Sequence, residues 1–538
     1  MKLILFFPPS WSLNVGNPHL ALPLLKATLE ADSVDVRVRD LNLEVCEFHR
    51  VHITSSEAAN SIRLNTVEAM NMVYFNAEDK LMQVAKNYHG EWNLQLGFKY
   101  HNWSHYSSKD IQETLKLDSP FTEYFKTEIL PWLEKEEPKV IGFSIASIYQ
   151  IIPALQLCWM LRRVGYSGIV IFGGNTISRL KEEIIKTPWL FDLVDGFIIF
   201  QGELPFLSLS KVVYSGKGFS NVPNLIWRDK GVIKENQTIH KQDPNLIPTP
   251  DFGELPLEKY WGVNYLPLLA ARGCYYAKCS FCSIPYGYGH SGFSGVKDTE
   301  LVFRDIITLQ NKYEMQRFKF MDEALLPKML MELSDLILNE MIQIEWEGYL
   351  RLEQCWLDKV FVNKLGHSGF KKGYFGLELY DENTRNSLKK NDNVKDILVI
   401  LKNCHYAGIK VHLFCMFGFP GTGRKEAERT IEFILTHRDL IDTVDLNAYT
   451  YARHTSVQGT EKILNPHQDW ALEYEYAPIN DGVLSSKEVD KLVTEMEDII
   501  WEECPRLLHP IYRLVSPWSN IEDTQGTKRE KNALSIAS

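Results

Sequence analysis

The sequence has no run of 18 apolar residues, the length that a membrane-crossing helix requires. Its one apolar stretch near the start, residues 3–7, stops at Pro8-Pro9, too short for the core of a signal peptide. It lacks an excess of positive charge: 58 Lys and Arg stand against 69 Asp and Glu, a net charge of −11. A protein that grips nucleic acid or an anionic membrane by bulk charge alone is excluded. There is no repeat of solenoid period, and nine cysteines, an odd number spread through 538 residues, make no secreted disulfide framework. The expected setting is the cytoplasm, where thiols stay reduced. What is present is ordinary globular material, 45% hydrophobic and 24% charged, enough for three to four domains at roughly 150 residues each. Three of the nine cysteines fall within nine residues, and that cluster is the most informative feature of the composition.

The first third alternates strand and helix patterns. Residues 2–7 predict a buried strand, 20–29 a helix, and Val34, Val36 and Val38 a half-exposed strand. Strands follow at 140–145, 169–172 and 197–200, with a helix at 152–161 between the first two. The turns after them carry Ser144, Gly173-Gly174 and Gly202-Glu203. This is the pattern of an α/β, Rossmann-like open parallel sheet, whose ligands sit at the carboxyl ends of the strands. A hairpin at 225–233 closes this domain, expected over 1–240. Residues 50–135 interrupt the alternation and read as a mostly helical insertion, rich in aromatics.

Four prolines between 240 and 256 mark a linker, expected over 241–258. Strand and helix patterns resume over 259–450, with strands at 268–271, 317–320, 344–349, 374–377, 410–416 and 443–446. Parallel strand–helix units in that number predict a partial (β/α) barrel. Residues 451–538 read as a mostly helical C-terminal region. Its helix has a capping box in Ser485 and Glu488, an apolar stripe from Val489 to Ile500, and a disordered tail beyond 516.

Cys274, Cys279 and Cys282 lie on one short loop after the first barrel strand. Thiolates are soft ligands suited to zinc or to iron–sulfur clusters. A structural zinc site needs four protein ligands, and only His290 stands near enough in sequence to complete one. Three cysteines on a four-iron cluster leave one iron open, as a catalytic site requires. Phe281 precedes the last cysteine, and the strand 318–320 ends in Asp322 and Glu323. Arg351 and Glu378 stand at the ends of the next two strands, and Gly418-Phe419-Pro420-Gly421 turns after a later one.

This arrangement resembles the radical SAM superfamily. The usual spacing there is three residues and then two, whereas four residues separate Cys274 from Cys279 here. The resemblance implies that the three cysteines hold a [4Fe–4S] cluster whose open iron takes S-adenosylmethionine, cleaved to a 5′-deoxyadenosyl radical. It implies that Asp322, Glu323, Arg351 and Glu378 position S-adenosylmethionine and that Phe281 lies against its adenine. An electron donor such as flavodoxin or ferredoxin is implied as a partner. A Rossmann-like domain ahead of the barrel resembles the cobalamin-dependent branch. Ser144 and Ser147, with Gly173 and Gly174, stand where that branch places its serine loop and double glycine. The Asp-x-His-x-x-Gly motif of many cobalamin domains is missing: no histidine precedes His19 in the loop after the first strand. If cobalamin binds, its lower face is expected to have no histidine from that motif.

The function expected is a cobalamin-dependent radical SAM methyltransferase acting on an unactivated carbon of a natural-product or peptide substrate. Three alternatives stay open. The first is a rearrangement, cyclisation or ring contraction without methyl transfer. The second is a radical SAM enzyme whose first domain binds no corrinoid. The third is a zinc-stabilised binding protein using the three cysteines and His290.

Overall fold

The computed structural model describes residues 2–10, 17–49, 77, 79–93, 97–239, 242–260, 265–289, 292–390, 392–455, 461–464, 468–478 and 484–508. The N-terminal sheet is built from β1 (Lys2–Phe7), β2 (Asp35–Asp40), β3 (Val140–Ser144), β4 (Ile169–Gly173), β5 (Gly196–Ile198), β6 (Leu225–Asp229) and β7 (Val232–Glu235). Their order is β2-β1-β3-β4-β5-β6-β7. The first five strands are parallel, and the β6–β7 hairpin closes the edge antiparallel. The residues explain the positions. β1 after Lys2 and β3 before Ser144 carry no polar side chain and lie inside the sheet, while β2 alternates exposed and buried residues. Strand order reverses between β1 and β3, and such a reversal opens a crevice at the carboxyl ends.

The described part of 50–135 contains a hairpin, Gly90–Asn93 with Gly97–Tyr100, besides helices such as Ser108–Thr114 and Leu130–Glu136. The expected helical insertion is therefore mixed. Several of its described aromatics are core: Phe121 meets Trp92 edge-on at 5.4 Å and Phe98 at 5.6 Å.

The second sheet uses β8 (Leu266–Leu268), β11 (Arg317–Phe320), β12 (Glu345–Leu350), β13 (Phe370–Glu378), β14 (Lys410–Phe417) and β15 (Thr443–Ala448), paired in that order and all parallel. A sequential order, with a helix before each of β11, β12, β13, β14 and β15, is the wall of an open barrel. Two further strands, β9 (Ala271–Gly273) and β10 (Phe293–Val296), pair antiparallel outside this wall. The strand expected at 268–271 is thus split. The Asp322 carboxylate takes the backbone N–H groups of Ala270 and Ala271, so the ladder ends at Leu268. Pro267 lies inside β8 because β8 is an edge strand.

The barrel lumen is filled. The Lys319 ammonium sits 3.4 Å from Glu347 and 4.0 Å over the Tyr374 ring, with Tyr349 and Tyr265 also facing it. Tyr374 donates to Glu347 at 3.1 Å.

The proline-rich linker is packed down against both neighbouring regions. Asp251 accepts from Lys26 of the first domain at 2.7 Å, and from Lys312 and Tyr313 of the barrel at 2.8 and 2.6 Å. Phe252 and Tyr260 are fully buried, and the Tyr260 hydroxyl donates to Asp40 at 2.8 Å. The C-terminal helix Ser486–Glu503 starts on the expected Ser485–Glu488 capping box. It lays its Val489, Leu492, Val493, Met496 and Ile500 stripe against the barrel. Two small ribbons precede it, Tyr451–Ala452 with Glu473–Tyr474 and Glu461–Ile463 with Tyr476–Pro478. The tail expected to be disordered lies outside the described residues. No helix among the described residues is long and apolar enough to cross a membrane.

Candidate active site

The cysteine loop leaves β9 through Gly273, whose φ is +85° and where a Cβ would lie 2.2 Å from the Gly292 carbonyl. Only glycine fits such a left-handed, close approach. Cys274 N–H then donates to Gly292 at 3.1 Å. The four-residue stretch between the first two cysteines contains Ala277 at φ +46°, a tight left-handed turn. All three cysteines are half-buried, and none is in a disulfide. Burial pushes the Cys279 thiol up and the Cys282 thiol up to about 12.

A second segment, Leu388 to Lys390, supports this loop from below. The Leu388 carbonyl accepts from Ser280 N–H at 3.1 Å, and the Lys389 carbonyl from the Tyr276 hydroxyl. The Lys390 carbonyl accepts from Arg351 Nη2 at 2.6 Å. Arg351 is otherwise engaged with Glu353 at 2.7 Å, with Cys279 Sγ at 3.8 Å, and with the Tyr276 ring 3.6 Å below its guanidinium. Its fork is therefore spent on protein groups. Glu378 sits at a bulge in β13 with φ +58° and pairs with Lys390 at 2.9 Å. Phe281 meets Phe419, from the glycine–proline turn, at 5.2 Å.

The two acids after β11 separate in role. Asp322 is buried and spends both oxygens on Ala270 and Ala271; burial raises its carboxyl to about 7. Glu323 lines a cavity and accepts from Tyr288 at 3.0 Å; burial raises its carboxyl too.

That cavity, about 380 Å³, joins the carboxyl ends of both sheets. Ser144, Ala146, Gly173 and Gly174 line it from the first domain, and Arg272, Tyr288, Met321 and Glu323 from the barrel side. Gly174 has φ +106°, and a Cβ there would lie 2.3 Å from the Ile145 carbonyl. Ser147 does not line the cavity. Its hydroxyl caps the turn Ile148–Gln150, accepting from Tyr149 N–H at 3.3 Å. His19 does line it, stacked on Phe7 at 4.5 Å, and burial lowers its imidazole to about 4. Arg272, two residues before the first cysteine, pairs with Glu203 at the start of helix Glu203–Ser215 and so ties the two domains together.

Among the described residues, no three His, Cys, Asp or Glu side chains stand close enough to hold one metal ion. A zinc site needs that closeness. A four-iron cluster does not, because each thiolate takes its own iron. His290 lies outside the described residues. Sequence reasoning missed Tyr288, Glu353, Lys390 and the Glu203–Arg272 pair. Their roles come from chain segments far apart in sequence, so no local pattern marks them.

The family model of the Radical SAM superfamily matches residues 268–434. That span, under a third of the chain, is similar to a radical SAM domain. The matched span runs from the end of β8 through the cysteine loop into the helix after β14, so it covers the cysteines, the two acids, Arg351 and Glu378. An uncharacterized methyltransferase of Pyrococcus horikoshii is 23% identical over 314 residues, 57% of this chain and 66% of that protein. The bacteriochlorophyllide d C-12(1)-methyltransferase of Chlorobaculum tepidum is 28% identical over 179 residues, 32% of this chain and 38% of that protein. The chain thus spans just under two thirds of the first relative and little over a third of the second. Among solved structures, the radical S-adenosylmethionine methyltransferase TsrM from Kitasatospora setae, with cobalamin and a [4Fe-4S] cluster bound, superposes with a TM-score of 0.57. That match covers 91% of this chain and 84% of TsrM at 12% identity. The cobalamin-dependent S-adenosylmethionine radical enzyme OxsB superposes with a TM-score of 0.60, over 93% of this chain and 67% of OxsB, at 12% identity. At these identities the likeness is one of fold, and it extends over both sheets.

Proposed function

We propose that this protein is a cobalamin-dependent radical SAM methyltransferase acting on a small molecule. The observation that carries the reading is the shared cavity: small residues at the strand ends of one domain face the cysteine loop side of the other. Three residues lining it, Asn17, Glu203 and Arg272, carry buried polar atoms (Oδ1, Oε2 and Nε) that have no partner among the described residues. Buried polar groups in native proteins are nearly always satisfied, so orphans around a cavity support a missing ligand. Ser144, Gly173 and Gly174 let a broad corrinoid approach the backbone closely.

When bound, the cluster supplies the electron that cleaves S-adenosylmethionine to a 5′-deoxyadenosyl radical, and cobalamin carries the methyl group. The chain's own residues divide the remaining work. Cys274, Cys279 and Cys282 hold the cluster. Glu323, facing the cavity, receives the methionyl ammonium, while Asp322 fixes the backbone just ahead of the cysteine loop. Glu378, held by Lys390, stands at the neighbouring strand end, and the Phe281–Phe419 pair offers an apolar surface for adenine. The electron comes from a separate one-electron donor such as flavodoxin or ferredoxin. Two of the relatives are methyltransferases, which supports methyl transfer over rearrangement.

Anaerobic reconstitution with iron, sulfide and hydroxocobalamin tests the reading. The expected protein gains cluster and corrinoid absorbance and, with methyl-labelled S-adenosylmethionine, labels its product. Label-free product would replace methyl transfer by rearrangement. A protein that binds iron but never gains corrinoid absorbance would remove cobalamin.

A further inference from the structure

Arg351 directs an N–H at a cluster cysteine, and Lys390 adds a second positive charge near the same thiol. The Arg351 side chain is only 9% exposed, and each part of its guanidinium has a stated partner. Nε donates to Glu353 at 2.7 Å, Nη2 to the Lys390 carbonyl at 2.6 Å, and Nη1 to Cys279 Sγ at 3.8 Å. The Tyr276 ring lies 3.6 Å beneath it. Tyr276 is held in turn by the Lys389 carbonyl. The group is locked in place by a carboxylate, a carbonyl and a ring drawn from three segments of the chain. It is not poised to move onto a substrate.

A positive charge and an N–H directed at a ligating sulfur stabilise the reduced, more negative state of an iron–sulfur cluster, and the potential rises. A neighbouring carboxylate does the reverse. Glu353 is paired to the same arginine, so the cluster sees a cation whose charge is partly balanced. We infer that Arg351 is a positioning residue that sets the reduction potential of the cluster on Cys274, Cys279 and Cys282 through Cys279, and that Glu353 trims its effect. The inference rests on the cluster assignment above. It gives Arg351 a role beyond the positioning of S-adenosylmethionine that the resemblance implied.

The signs make the test specific. The full chain is reconstituted anaerobically with iron and sulfide. The midpoint potential is then read by following the spin signal of the reduced cluster during a mediated redox titration. R351Q removes the charge but keeps a planar donor; its potential falls below that of the parent protein at equal iron and sulfide per chain. E353Q leaves the arginine unbalanced, and its potential rises. R351K keeps the charge without the fork and restores most of the shift. A purely structural Arg351 would lower cluster content in R351Q and leave the potential of the remaining cluster unchanged, which overturns the inference. Shifts of the same sign in R351Q and E353Q overturn it as well. If R351Q retains too little cluster to titrate, E353Q decides alone, and an unshifted potential there is fatal. A parent protein that takes up no iron and sulfide removes the cluster assignment, a result distinct from any of these.

Discussion

At the residue scale, buried acids do structural work that their sequence positions disguise. Asp322 looks like a cofactor ligand, yet its two oxygens end the β8 ladder and hold the backbone at Ala270 and Ala271. Asp322→Asn replaces one acceptor oxygen by a donor facing those amides. It should cost about 1–3 kcal/mol, the usual penalty for an unmade buried hydrogen bond. The thermal midpoint of the apo-protein should drop, and iron retention should fall with it. Burial also raises Asp322 and Asp40 each to about 7, against roughly 3.9 in an unfolded chain. Between those values the folded protein binds more protons than the unfolded one. This contribution is therefore full below about pH 4 and is lost as pH rises through 7. Unfolding followed from pH 4.5 to 7.5 should show the decline, and Asp40→Asn should flatten it. Gly174 belongs to this scale too. A Cβ there would press on the Ile145 carbonyl at 2.3 Å, and the φ of +106° disfavours any side chain. Gly174→Ala should weaken corrinoid retention at least tenfold in equilibrium dialysis, with a smaller effect on iron content.

At the scale of elements, the linker is the instructive case. Its prolines go with a segment that holds two short 3₁₀ turns, Pro244–Leu246 and Leu257–Lys259, and no α-helix or strand among the described residues. They say nothing of Asp251, which bonds Lys26 in one domain and Lys312 and Tyr313 in the other. These partners hold the Asp251 carboxyl well below the usual range, so the clamp persists until strongly acidic pH. Asp251→Ala would leave Lys26, 6% exposed, with Glu30 as its remaining carboxylate partner. Because Glu30 still balances the ammonium, the loss should be below the roughly 3 kcal/mol of a fully unpaired buried charge. Limited proteolysis should show faster cutting within 242–260 in this variant. The pattern of strands and helices was legible because each periodicity reports burial of one face or two. The split of the 268–271 strand was not, because a carboxylate about fifty residues later competes for its amides.

For the whole molecule, the cavity belongs to neither domain alone. Ser144, Gly173 and Gly174 supply one wall, and Arg272, Tyr288 and Glu323 the other. A ligand that fills it binds only the assembled fold, so hydroxocobalamin should raise the stability of the full chain by mass action. At a hundredfold excess over its dissociation constant, the gain is about 2.7 kcal/mol. Differential scanning measurements should show the rise in the parent protein and little of it in Gly174→Ala.

The sequence by itself determined the class of each domain, the parallel strand–helix order and the three-cysteine loop. These follow from local signals: hydrophobic period, proline and glycine at turns, and the clustering of thiols. Only the tertiary structure decided which acids face the cavity, that Ser147 caps a turn, and that Arg351 turns toward Cys279 Sγ. It alone showed that Glu203 and Arg272 join the domains. Those outcomes depend on which side chains from distant segments compete for the same donors and acceptors, and a linear pattern carries no record of that competition.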